Sequence, residues 1–75
     1  MELRDMVRMA NQIADFNRAY PHATAVKETA DHISRYWEPR MRKAFFDHIA
    51  KGGDGFDPLV RDAAGLVRKL KPEAA

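Results

Sequence analysis

Apolar residues recur along this chain at steps of three and four, the spacing of one face of an α-helix. Leu3, Met6, Ala10, Ile13 and Asn17 form one stripe, widened by Val7 and Ala14, while Met9, Ile13, Phe16 and Tyr20 form a second beside it. A helix from about Glu2 to Ala19 is predicted, with an apolar face broad enough to meet both its own core and a partner. Pro21 marks its stop, because a residue before proline is pushed away from helical angles. A second helix is expected from about Ala23 to Trp37, with Thr24 as N-cap and Val26, Ala30, Ile33 and Trp37 facing inward. Pro39 suits the first position of a third helix, where its missing N–H is not needed. That helix runs to about Lys51, with Met41, Ala44, Phe45, His48 and Ile49 apolar or semi-apolar, and Gly52-Gly53 as its terminator. Asp57-Pro58 pairs a capping carboxylate with a proline at the first helical position. It opens a fourth helix from Pro58 to about Leu70, which Gly65 weakens by about 1 kcal/mol relative to alanine. Residues 71–75 read as a frayed tail. The pattern contains no strand, so the expected fold class is all-α, a single domain over residues 1–75 built as a bundle of four short helices.

Composition narrows what such a bundle can do. A chain of 75 residues without cysteine has neither disulfides nor thiolate metal sites to support it. At this size a fold buries only about 60–65% of the surface its unfolded chain exposes, so stability is marginal and a partner is the natural supplement. No apolar run approaches the roughly 18–20 residues that span a bilayer. Met1-Glu2-Leu3-Arg4-Asp5 is acidic where a signal peptide is basic and then apolar, so a cytoplasmic chain is expected. Thirteen basic residues against eleven acidic give a net charge of only +2, which leaves any electropositive feature local.

The densest such feature is Trp37-Glu38-Pro39-Arg40-Met41-Arg42, flanked by Arg35 and Lys43. Aromatic and arginine side chains together make interaction hot spots. The only tryptophan beside a helix-opening proline also suits a core corner, with Trp37 closing the second helix and facing inward, while Arg40 and Arg42 face a partner's carboxylates. The basic-aromatic segment 35–43 leaves a nucleic-acid-binding module as an alternative, which a balanced total charge and the lack of a helix-turn-helix pattern disfavour. A self-associating helical adaptor is a third reading, and a homo-oligomer of the isolated chain belongs with it.

Catalytic chemistry finds little support. Ser34 is the only serine and falls mid-helix. Asp31-His32 and Asp47-His48 suggest metal or acid–base pairs, but neighbours on a helix point about 100° apart and supply one ligand each. Gly52-Gly53-Asp54-Gly55-Phe56-Asp57 lacks the alternating acids of a calcium loop and the lysine of a phosphate loop. No catalytic residue, cofactor-binding residue or metal ligand is expected. The partner-binding candidates are Met9, Asn11, Gln12, Arg40, Met41 and Arg42, the amides of Asn11 and Gln12 because they interrupt an apolar helix. The structural positions are Ile13, Ile33, Trp37, Pro39, Phe45 and Pro58.

Met9-Ala10-Asn11-Gln12-Ile13 and Trp37-Glu38-Pro39-Arg40-Met41-Arg42, followed by Ala44-Phe45-Phe46, Gly52-Gly53 and Pro58-Leu59-Val60, together resemble the delta subunit of NAD-dependent formate dehydrogenase. Residues 20–28 match that pattern least. The resemblance implies a small helical accessory subunit without a redox group of its own. It also implies a cytoplasmic molybdenum enzyme whose larger subunits carry the bis-molybdopterin guanine dinucleotide, iron–sulfur clusters and flavin. The implied role is to stabilise the large catalytic subunit, or to assist its assembly and cofactor loading.

Overall fold

Proline and glycine set most of the boundaries in the computed structural model, which describes residues 2–67. The described residues form four helices and no strand: α1 Leu3–Asn17, α2 His22–Tyr36, α3 Pro39–Ala50 and α4 Pro58–Ala64. Pro39 and Pro58 occupy the first turns of α3 and α4, each after a residue with extended ψ. At the other end of α3 the Gly53 N–H reaches the His48 carbonyl at 2.9 Å and the Gly52 N–H reaches that of Ile49 at 3.0 Å. These two bonds form a Schellman closure. It needs Gly52 at φ 111°, in a region that side chains disfavour.

Three differences from the sequence expectation have a structural reason, and the remaining helix ends fall within one residue of it. Helix α1 ends at Asn17, short of Ala19, because residues 18–20 are needed to reverse the chain before Pro21. Helix α2 starts at His22 with Pro21, not Thr24, at its N-cap, so Thr24 lies inside the first turn. Helix α4 ends at Ala64 instead of Leu70, with Gly65 at its C-cap. The N–H groups of Leu66 and Val67 both turn back to the Ala63 carbonyl, at 2.8 and 3.2 Å, closing the helix. Positions 68–70 of the expected helix and the expected tail 71–75 lie outside the described residues.

The core gathers around Phe45, which is fully buried. Its ring meets Trp37 edge-on at 6.0 Å between centroids, Phe46 at 5.7 Å and Phe56 at 5.3 Å. Such aromatic pairs add about 0.5–1.5 kcal/mol each beyond the area they bury. Met6, Ile33, Leu59, Val60 and Val67 are buried with it, and Ala10, Ala14, Ala25, Ala30 and Ala63 let helices approach closely. Helix α2 packs on both α1 and α4, and α1 touches every other helix. One polar pair is buried between α1 and α2: the Asn17 amide donates to the Thr29 hydroxyl at 3.2 Å. Asn17 breaks the apolar stripe of α1, and Thr29 supplies the partner that a buried amide requires.

A polar clamp joins α1 to the segment before α4. The Asn11 amide donates to the Gly55 carbonyl at 3.0 Å, and its oxygen accepts the Asp57 N–H at 2.8 Å. Asp57 caps α4 by accepting the Leu59 N–H at 2.9 Å. Its other oxygen meets Arg18 at 2.7 Å, and Arg18 also reaches Asp15 at 2.6 Å. The Arg18 hydrogen bond, then the Leu59 N–H, hold the Asp57 carboxyl below its ordinary value of 3.8. A carboxylate with a depressed folded pKa contributes stability that is present above its unfolded pKa and lost as pH falls through the folded one.

Two outcomes follow from this packing. Trp37→Ala removes the corner of the aromatic cluster and is expected to cost about 3–5 kcal/mol, enough to abolish cooperative thermal unfolding followed by circular dichroism. Asp57→Asn keeps a capping oxygen but loses the Arg18 ion pair. Its melting temperature should fall below that of the parent at pH 7, and the gap should narrow progressively as melts are run at pH values below 3.8.

Candidate partner-binding groove

The two stripes of α1 have different surroundings. Met6, Ala10, Ala14 and Asn17 are buried. Met9, Ile13, Phe16 and Tyr20, one step around the helix, border an open groove between α1 and α2 with a volume near 680 Å³. Opposite them α2 contributes Glu28, Asp31, His32, Arg35 and Tyr36, and Trp37 lines it where α2 ends. Met9 and Ile13 pack partly against the core, whereas Phe16 is 84% exposed and Tyr36 70%. The His32 ring lies 4.9 Å from that of Tyr36. Single exposed apolar residues are ordinary, but two exposed aromatic rings lining the same groove as Met9 and Ile13 make that groove a candidate binding surface. Met9 suits it, because a thioether adapts to irregular contacts.

The predicted partner-binding residues divide on the structure. Met9 and Gln12 line the groove. Asn11 does not: both ends of its amide are spent in the clamp on residues 55 and 57. Its expected role in recognising a partner's backbone is met by the backbone of its own chain. Arg42 is likewise turned inward. It donates to the carbonyls of Ser34 at 3.2 Å and Trp37 at 2.7 Å, two acceptors at the C-terminal end of α2, where carbonyls lack helical partners and negative charge accumulates. Its Nε is buried without a partner among the described residues. Arg40 is exposed and makes no ion pair among the described residues, and Met41 is half-buried against the core. Of the structural positions, Ile33, Trp37 and Phe45 are buried, Ile13 is partly buried, and Pro39 and Pro58 act through their helix starts.

The basic residues of the central segment are dispersed. Arg35 lines the groove, Arg42 latches the corner, and Lys43 pairs with Asp47 at 3.0 Å. His48 meets the Asp54 carbonyl at 2.7 Å and the Phe56 ring, and among the described residues no group of three or more His, Asp and Glu could hold a metal. Among the same residues no helix is long and apolar enough to cross a membrane. Phe16, Tyr20, Asp31, Arg35 and Tyr36 belong to the groove without having been among the partner-binding candidates. The second stripe of α1 signalled the first two, and the others needed the pairing of α1 with α2.

The latch separates the two arginines in an experiment. Arg42→Ala leaves the Trp37 carbonyl with one donor fewer and should destabilise the isolated chain by about 1–3 kcal/mol. Arg40→Ala should stay within about 0.5 kcal/mol of the parent. Urea unfolding of both variants measures the difference.

The described geometry is thus an open groove with exposed aromatic and charged residues on a small helical scaffold. The family model for the NADH-dependent formate dehydrogenase delta subunit, FdsD, matches residues 5–64, from the first turn of α1 to the last residue of α4. No curated protein and no solved structure matches the chain. With most of its length covered by that one model, the chain belongs to the family of NADH-dependent formate dehydrogenase delta subunits.

Proposed function

We propose that the chain is a non-catalytic accessory subunit that binds the large catalytic subunit of a cytoplasmic NAD-dependent formate dehydrogenase. Bound there, it stabilises that subunit or assists its assembly and cofactor loading. Membership of the delta-subunit family supports association with the other subunits of the enzyme. The observation that carries the docking part is the exposed aromatic pair Phe16 and Tyr36 beside the apolar floor of the α1/α2 groove. The non-catalytic part rests on composition, a chain with no cysteine and Ser34 as its only serine. The cytoplasmic part rests on the resemblance.

The mechanism needs no chemistry in this chain. A protein that binds the folded form of another, and not its unfolded form, adds stability by mass action, about 2.7 kcal/mol when present at a hundred times its dissociation constant. Desolvation of the two exposed rings supplies the affinity, in the manner of aromatic hot spots.

Co-expression of the tagged chain with the catalytic subunit tests the proposal. Phe16→Ser with Tyr36→Ser alters two exposed side chains and should leave the helical spectrum and melting temperature of the isolated chain nearly unchanged. Recovery of the catalytic subunit should drop about tenfold or more, since hot-spot losses reach 2 kcal/mol and above. Undiminished recovery with the double variant would remove the groove from the docking surface. No recovery with the parent chain would remove the accessory role itself.

A further inference from the structure

The charges along the groove are arranged by position. Glu28 and Asp31 lie one turn apart on α2, towards the end that Tyr20 borders, and Arg35 lies one turn beyond Asp31, beside Trp37 in sequence. Glu28 to Arg35 is about 10 Å along the helix axis at 1.5 Å per residue. The groove thus carries acids towards one end and Arg35 towards the other, and Met9, Ile13, Phe16 and Tyr36 share its lining.

These charges are also without ion pairs. Elsewhere on the described surface Arg8 pairs with Asp5, Arg18 with Asp15 and Asp57, His22 with Asp62, and Lys43 with Asp47. Glu28, Asp31 and Arg35 make no ion pair among the described residues, although Asp31 and Arg35 stand at the i,i+4 spacing that favours one. Two acids on neighbouring turns repel, and a cation placed between them removes that repulsion. The groove has no buried polar side chain without a partner to fix a small polar ligand: the Asn17 amide on its lining is already bonded to Thr29. An open trough between two helices fits an apolar helical face, read as anchors at i, i+3, i+4 and i+7.

We infer that the groove takes one amphipathic helix of the catalytic subunit, with a lysine or arginine against Glu28 and Asp31 and, about two turns along, an aspartate or glutamate against Arg35. The inference rests on the accessory-subunit reading and adds to it the form, charge and direction of the partner. The apolar side chains of that helix fill the trough lined by Met9, Ile13, Phe16 and Tyr36. Because the two ends differ in sign, the occupant seats in only one direction, and a reversed helix meets like charge at both ends.

The test uses the full chain co-expressed with the catalytic subunit, in three forms: parent, Glu28→Lys with Asp31→Lys, and Arg35→Glu. Glu28 and Arg35 are exposed and Asp31 is half-buried, so circular dichroism of each form verifies that the fold survives. Each reversal should lower the affinity for the catalytic subunit by about tenfold or more, and raising salt should narrow the gap to the parent. Parent-like affinity of either variant overturns the two-ended charge layout while leaving the accessory role standing. A parent chain that does not bind the catalytic subunit overturns both. Sedimentation of the isolated chain supplies the last arm: concentration-dependent dimerisation that Phe16→Ser abolishes, with catalytic-subunit binding unaffected by it, would assign the groove to a second copy and overturn the inference.

Discussion

The ring of Phe45 touches those of Trp37, Phe46 and Phe56, so the end of α2, the body of α3 and the turn before α4 have to meet at one point. In a chain with no disulfide this meeting substitutes for a covalent cross-link. Its consequences reach outward. With Trp37 drawn in, Pro39 starts α3 in a new direction, and Arg42 on the first turn of α3 falls beneath the open carbonyls of α2. With Phe56 drawn in, Gly55 is brought against Val7 and its carbonyl against Asn11. The corner that carries the densest cluster of basic and aromatic residues is thus partly taken up by the fold: Trp37 and Arg42 turn inward, while Arg40 stays exposed and Arg35 lines the groove.

The sequence was most legible where one residue type has one local meaning. Pro39, Pro58 and Gly52 mark helix ends through their own backbone restrictions, and Asp57 is a cap wherever it precedes a helix. It was less legible where a local preference competes with a tertiary demand. Pro21 forbids a helix through it, but the reversal of the chain ends α1 already at Asn17. Gly65 is tolerable in a helix, yet here α4 stops before it. The candidate site shows the same division. The second stripe of α1 was visible from spacing alone, and it is the stripe that borders the groove. Asn11 and Arg42 looked equally available, since a polar side chain in a sequence carries no sign of what will answer it. The partners of Asn11 lie 44 and 46 residues away, beyond any periodicity argument.

An exposed Phe16 and Tyr36 sit oddly beside a core that needs every apolar side chain it can bury. The interface between α1 and α2 is instead filled by small alanines and the Asn17–Thr29 pair. The close approach of α1 and α2 therefore leaves the rings outside. A free chain carries that apolar surface at the expense of solubility, whereas a chain held in a larger enzyme does not. Membership of a family of enzyme subunits accounts for a surface that an independent protein would be better without.

Trp37 belongs to two places at once. It is 5% exposed and packed on Phe45, yet it also lines the groove. Since it is the only tryptophan, the intrinsic fluorescence of the molecule reports a single indole whose one side is core and whose other side lines the groove. Folding and occupancy of the groove are then read by the same chromophore: the first through its withdrawal from water, the second through what comes to rest on its remaining edge.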